Sequence, residues 1–217
     1  WFLTNDTYQL NDDWTESNLD DPAMTEAMAF VKDLVWKHEV SFDVSGTGSG
    51  QSNNGLFSAG KLGMSGWGHW PIQSFIASDF DTFDVQYWPG QATHTTVAGF
   101  GGWGISTSSE NKELSWELIK ELNSLETIRA TARAGVAVPA RRSVAESPEF
   151  LAFPANSKIF YESLDDMKFV ASPENFNELE TIFMRHFGEM MSNAKTAEEA
   201  MADAHDELQT AMERLKG

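Results

Sequence analysis

The chain has 217 residues, 41% of them hydrophobic, a formal net charge of -18 and no cysteine. That length fits one large domain or two small ones. The charge argues against nucleic acid and anionic membrane surfaces as partners, because both require clustered Lys and Arg. The missing cysteines exclude disulfides, thiolate metal sites and cysteine nucleophiles, and no stretch approaches the roughly 20 apolar residues of a membrane span.

In chain order, residues 1–14 read as a loop plus a strand, and Trp1-Phe2-Leu3 reads as an entry into structure within a processed chain or a fragment of a longer one. Asp20-Asp21-Pro22 opens a helix, since Asp is a good N-cap and proline has no N–H to waste in the first turn. Met24, Met28, Val31 and Val35 then recur at helical spacing, which carries the helix to about Glu39. Residues 45–55, SGTGSGQSNNG, read as a loop. Its Gly46, Gly48 and Gly50 lack the third glycine of a dinucleotide fingerprint, and no Gly-Lys-Ser/Thr follows.

Leu56 to Ala59 form a short helix leading into a strand at Leu62 to Ser65. Further strands are expected at Asp84 to Trp88, Thr95 to Phe100 and Trp103 to Ser106. Ser108 to Ser124 form a helix with Leu114, Leu118, Ile119 and Leu122 on one face, and Leu125 to Ala134 form another. Gly135 to Pro139 is extended, and Ser147-Pro148 starts a short helix. Two long helices follow, Pro173 to Asn193 and Thr196 to Leu215. The second opens on a capping box, Thr196 with Glu199, and has Ala200, Ala204, Leu208, Ala211 and Leu215 as its buried stripe. Helices alternating with short strands make the class α/β.

Catalytic signatures are thin. Ser65, in Gly63-Met64-Ser65-Gly66-Trp67, lacks the glycine spacing of a nucleophile elbow. The five histidines are scattered without H-x-x-x-H or H-E-x-x-H spacing, so neither a metal nor any other cofactor is expected. Adjacent acids such as Asp12-Asp13, Asp165-Asp166 and Glu198-Glu199 point in different directions and read as solvated faces.

The aromatics say more. Trp67, Trp70, Trp88 and Trp103 stand beside Gly or Pro at expected strand ends, whereas Trp36 and Trp116 lie inside amphipathic helices and read as packing. An indole offers a flat apolar face and an N–H donor, which suits the C–H face and hydroxyl rim of a sugar. Glycine beside it lets backbone amides approach a ligand. Rings that plug a sheet end are the alternative reading.

Four segments in order resemble the extracellular solute-binding proteins of ABC importers, family 1, the maltose-binding-protein-like group. They are Phe57-Ser58-Ala59-Gly60-Lys61-Leu62-Gly63-Met64 with Gly66-Trp67; Val97 to Ser106 with Asn111 to Ile119; Gly135 to Pro139 with Ala140-Arg141-Arg142-Ser143; and the final helix pair with Thr196 to Ala200. Gly63 and Ser115 stand where the family usually has Ala.

The resemblance implies a type II periplasmic-binding-protein-like fold of two lobes, of which this chain is about the C-terminal half. Residues 1–87 and 140–217 would form the second lobe. Residues 90–134 would belong to the first, with crossings near 87–89 and 137–139. The missing N-terminal half would cover apolar surface otherwise left open. The implied function is capture of a mono- or oligosaccharide for a membrane permease, in the periplasm or outside the cell, with any lipid anchor in that missing part. Trp67, Trp70 and Trp103 would stack on sugar faces, Gly101 and Gly102 would offer amides, His69 and Arg142 would bond hydroxyls, and Trp88 would stand at a crossing. The alternatives are a binding protein for a polyamine or peptide, with Asp79, Asp81 and Asp84 as the carboxylates, or a glycan-active enzyme or binding module.

Overall fold

The structure, a computed structural model, describes residues 1–42 and 50–215. The chain divides into two compact units: residues 1–50, 88–98 and 166–217, and residues 51–87 and 99–165.

The first unit is built on three helices. α1 (Pro22–Trp36) starts where Asp21 accepts the Ala23 amide at 2.8 Å, with Pro22 at the first helical position. Its Met24 and Met28 are buried and Val31 and Val35 pack partly against the same core. It ends at Trp36 rather than near Glu39, and Lys37 caps it. Late in the unit, α9 (Phe176–Met191) and α10 (Ala197–Leu215) form a helical hairpin. The capping box forms as expected: Glu199 Oε2 accepts the Thr196 amide at 2.9 Å and Thr196 Oγ1 accepts the Glu199 amide at 3.1 Å. Ala200, Ala204, Leu208 and Ala211 are buried, joined by Ala197, Met201 and Met212. Leu215, expected in that stripe, lies in the terminal turn and is 46% exposed.

Polar side chains tie the hairpin at its flank. His186 is buried with Nδ1 3.1 Å from Glu189 and Nε2 3.1 Å from Glu207, which also pairs with Arg185. Lys195 lies 2.7 Å from both Glu189 and Asp203. The N-terminal segment joins this core through Leu3, Tyr8 and Leu10. The Tyr8 hydroxyl donates to the Phe169 carbonyl at 2.7 Å and accepts the Ala171 amide at 2.7 Å. The expected N-terminal strand is reduced to a 3₁₀ turn at Leu3–Asn5 and one antiparallel bridge, Leu10 to Ser17. The sheet is a parallel pair, β1 (Thr96–Ala98) and β2 (Met167–Phe169), with Thr96 opposite Met167 and Ala98 opposite Phe169.

The second unit carries shorter helices: α2 (Gly50–Ser58), α3 (Ile72–Ala77), α4 (Lys112–Leu122), α5 (Leu125–Arg133), α6 (Arg142–Ala145), α7 (Pro148–Leu151) and α8 (Lys158–Glu162). Ser147-Pro148 starts α7 as expected, with Ser147 accepting the Phe150 amide, and Ser124, expected as the end of the preceding helix, instead caps α5 by accepting the Thr127 amide. Ala132, Val144 and Phe150 form one buried cluster, with Ile128 and Val138 against it. A second cluster is aromatic: Phe57 meets Trp67, Phe75, Phe80 and Phe83 at centroid separations between 5.2 and 6.0 Å, and Phe83 meets Phe153 edge-on at 5.3 Å.

Several local expectations are corrected. The loop expected over 45–55 gives way to α2 from Gly50; Gly46 and Gly48 lie outside the described residues. The segments 62–65, 84–88 and 103–106 are not strands. A strand needs a neighbour for its N–H and C=O groups. Glycine interrupts the first and third of these, and in the second the backbone turns to side chains. There the Val85 amide donates to Asp84 Oδ1 at 2.9 Å, and the Tyr87 amide to Gln86 Oε1 at 2.8 Å. α4 buries no residue; the apolar face expected to pack leaves Leu114, Leu118 and Trp116 more than half exposed.

Candidate functional site

The segment 61–70 carries three of the expected ligand residues, and the structure gives each a different role. Trp67 is half-buried in the aromatic cluster, edge-on to Phe57 at 5.2 Å and to Phe75 at 6.0 Å. Trp70 is 66% exposed, its ring folded against the backbone of Gly68. A Cβ built at Gly68 would stand 2.1 Å from the Trp70 ring, so the glycine exists to let that indole lie flat on the chain.

His69 is the clearest departure from expectation. Expected from the resemblance to bond sugar hydroxyls, it is 6% exposed, stacked on Phe150 at 5.4 Å and edge-on to Phe160 at 4.8 Å. Burial disfavours its charged form and pulls its pKa down to about 4, although a backbone hydrogen bond with Gly135 pulls the other way. A neutral imidazole between two phenyl rings serves packing. Alternation in a short polar segment cannot separate that role from display, because the deciding partners, Phe150 and Phe160, come from far along the chain.

Gly135 completes this corner. It has φ +71°, and a Cβ there would meet the Gln73 amide nitrogen and the Ile72 and Ile76 side chains, each at 3.0 Å. The motif Gly135 to Pro139 therefore begins on a residue that only glycine fills without strain.

Trp103 is 65% exposed, and Gly101 and Gly102 before it stand in open space, with no atom within 4 Å of a Cβ built on either. Their amides are thus approachable from solvent. Phe100 is still more open. Arg142, at the start of α6, is exposed with its guanidinium carbon 5.6 Å from the Tyr161 ring centroid. Trp88 belongs to the first unit, while the other seven candidates belong to the second. Its ring meets Trp1 edge-on at 5.0 Å, and its buried Nε1 has no hydrogen-bond partner among the described residues. An unpaired buried indole N–H costs about 1–3 kcal/mol.

The aromatic set that sequence reasoning did not assemble is Phe57, Phe80 and Phe83, which line a pocket with Asp84. The available signal was the run Phe75, Phe80, Phe83 around the acids at 79, 81 and 84. Among the described residues, no group of three His, Asp or Glu side chains is placed to hold a metal ion, and no helix is long and apolar enough to cross a membrane.

Comparison with solved structures shows that the chain has part of the type II periplasmic-binding-protein fold. An ABC substrate-binding protein from Listeria monocytogenes in complex with cycloalternan superposes with TM-score 0.83 at 21% identity, over 97% of this chain and 55% of that one. Maltose-bound MalE3 from T. maritima gives 0.82 at 22%, over 97% and 55%. An ABC transporter solute-binding protein from Thermotoga lettingae bound with α-D-tagatose gives 0.82 at 23%, over 97% and 54%. The chain thus spans about half the length of the structures it matches. The family model for bacterial extracellular solute-binding proteins matches residues 1–158, and the chain belongs to that family. A comparison with curated protein sequences gives no match.

Proposed function

We propose that this chain is part of the ligand-capturing subunit of a bacterial ABC sugar importer, working in the periplasm or outside the cell. Its role is binding, not catalysis. The observation that carries the reading is family membership over 158 consecutive residues, 1–158. The relatives solved with cycloalternan, maltose and tagatose support a sugar as ligand. Trp103 is the residue we place on the sugar, with the amides of Gly101 and Gly102 beside it and Trp70 as a second stacking surface. An exposed indole next to open backbone donors supplies both the apolar face and the hydrogen bonds a pyranose needs. The half-buried Trp67 contributes through the aromatic cluster, and Arg142 supplies a further donor. Residues 90–134 belong in this proposal to the lobe whose remainder lies outside this chain. That remainder covers the open faces of α4 and of Phe100, and lobe closure around sugar presents a surface to the membrane permease.

The test is calorimetry on the intact protein with a panel of mono- and oligosaccharides. We expect saturable binding of at least one, and Trp103→Ala to weaken it by at least ~1 kcal/mol with the fold intact. Binding of no sugar, with binding of a peptide instead, overturns the proposal; unchanged affinity in Trp103→Ala removes that residue from the site.

A further inference from the structure

Residues from the segments 57–63 and 80–84 of the second unit line an open pocket of about 460 Å³. Phe57, Leu62, Phe80 and Phe83 line it, and Asp84 is its one titratable lining group. Phe80 and Phe83 stack at 5.3 Å and 11°, and Phe57 meets them edge-on at 5.7 and 6.0 Å. The carboxylate is held in place by neutral donors. Oδ1 accepts the Asn156 amide at 2.8 Å and the Val85 amide at 2.9 Å, and Oδ2 accepts Asn156 Nδ2 at 2.8 Å. These bonds fix its position without cancelling its charge, and Asp84 forms no ion pair among the described residues. Lys61, the cation of the bordering segment, does not line the pocket.

We propose that this pocket binds a small organic ammonium ion, its cationic head between Asp84 and the rings of Phe57, Phe80 and Phe83. Aromatic faces attract cations through their quadrupole, and a carboxylate at the same opening adds Coulomb attraction. An anion meets repulsion from Asp84, from the neighbouring Asp79 and Asp81, and from a chain of net charge -18. A neutral ligand gains only the apolar contact. Because Asp84 is exposed, water and salt screen it, so the affinity falls on the order of millimolar and weakens as salt rises. Trp103, Gly101 and Gly102 do not line this pocket, and the proposal does not depend on the sugar reading.

The experiment is an NMR titration of the intact protein with choline and with its neutral isostere 3,3-dimethyl-1-butanol. The indole N–H of Trp67, whose ring is 5.2 Å from Phe57, serves as reporter. We expect saturable shifts with choline and at least about fivefold weaker binding of the neutral compound. Asp84→Asn and Phe80→Leu should each weaken choline by a similar factor with the far-ultraviolet dichroism unchanged, and Asp84→Asn should leave sugar binding unchanged. Equal binding of the two compounds, no saturable response to choline, or an unaltered choline affinity in a folded Asp84→Asn variant overturns the proposal. If both variants misfold, the comparison of charged and neutral probes decides alone.

Discussion

The helices α10 and α4 carry the same kind of sequence and meet opposite fates. Both are amphipathic, both place leucines at helical spacing, and both have an acidic first turn and a basic last one. In α10 the stripe from Ala197 to Met212 is buried, with Leu208 fully so. In α4 nothing is buried, and Leu118 is 57% exposed. The difference lies in the partner. α9 and α1 bring methionines, Leu179 and Ile182 to the α10 stripe, and no element among the described residues does the same for α4. Amphipathicity states which face of a helix is apolar; it does not supply the surface that covers it.

The largest effect that separates these two helices comes from truncating their leucines. Leu208→Ala should cost about 2–5 kcal/mol by leaving a cavity in the buried core, and Leu118→Ala less than about 0.5 kcal/mol. Urea denaturation of the two variants measures both. A comparable loss at Leu118 would mean that α4 is covered in solution, and the comparison would then collapse.

Next in size is acid sensitivity of the second unit. His69 is neutral when folded, and its pKa falls from 6.5 to about 4. The unfolded chain takes up the proton first, so its stabilising contribution is complete above pH 6.5 and is lost as pH falls towards 4. The full span corresponds to about 3 kcal/mol. Stability curves measured at pH 7 and pH 4.5 should therefore diverge more in the parent than in His69→Phe, which keeps a ring against Phe150 and Phe160. His69 lies in the second unit, so hydrogen exchange should locate the loss in residues 51–87 and 99–165.

The smallest effect is at the α10 N-terminus. Thr196→Ala removes one half of the capping box and should cost about 1 kcal/mol. Thermal unfolding reads it, and a wild-type midpoint would show that the cap is redundant with the burial of Ala197 and Ala200.

Much of the helical framework was legible from residue spacing, because caps and stripes are local. Asp21-Pro22, Ser147-Pro148 and Thr196 with Glu199 each announce a helix start through a hydrogen bond spanning two or three residues. The strands were legible only at 96–98, since a strand is defined by a neighbour that can come from anywhere in the chain; β1 finds its own in residues 167–169. The candidate site divides in the same way. Indoles beside glycines were visible at once, and Trp70 and Trp103 are indeed open to solvent.

By itself, then, the sequence determined where α1, α5, α7 and α10 begin, which faces are apolar, that the charge is strongly negative, and which indoles sit on permissive backbone. Tertiary structure alone decided that His69 is a core residue, that Trp67 belongs to the Phe57 cluster, that α4 is bare, and that Phe57, Phe80, Phe83 and Asp84 share one pocket. The reason is physical. Caps and periodicity act over one or two turns, whereas burial and pKa shifts depend on partners such as Phe150, Phe160 and Asn156, which only folding brings near.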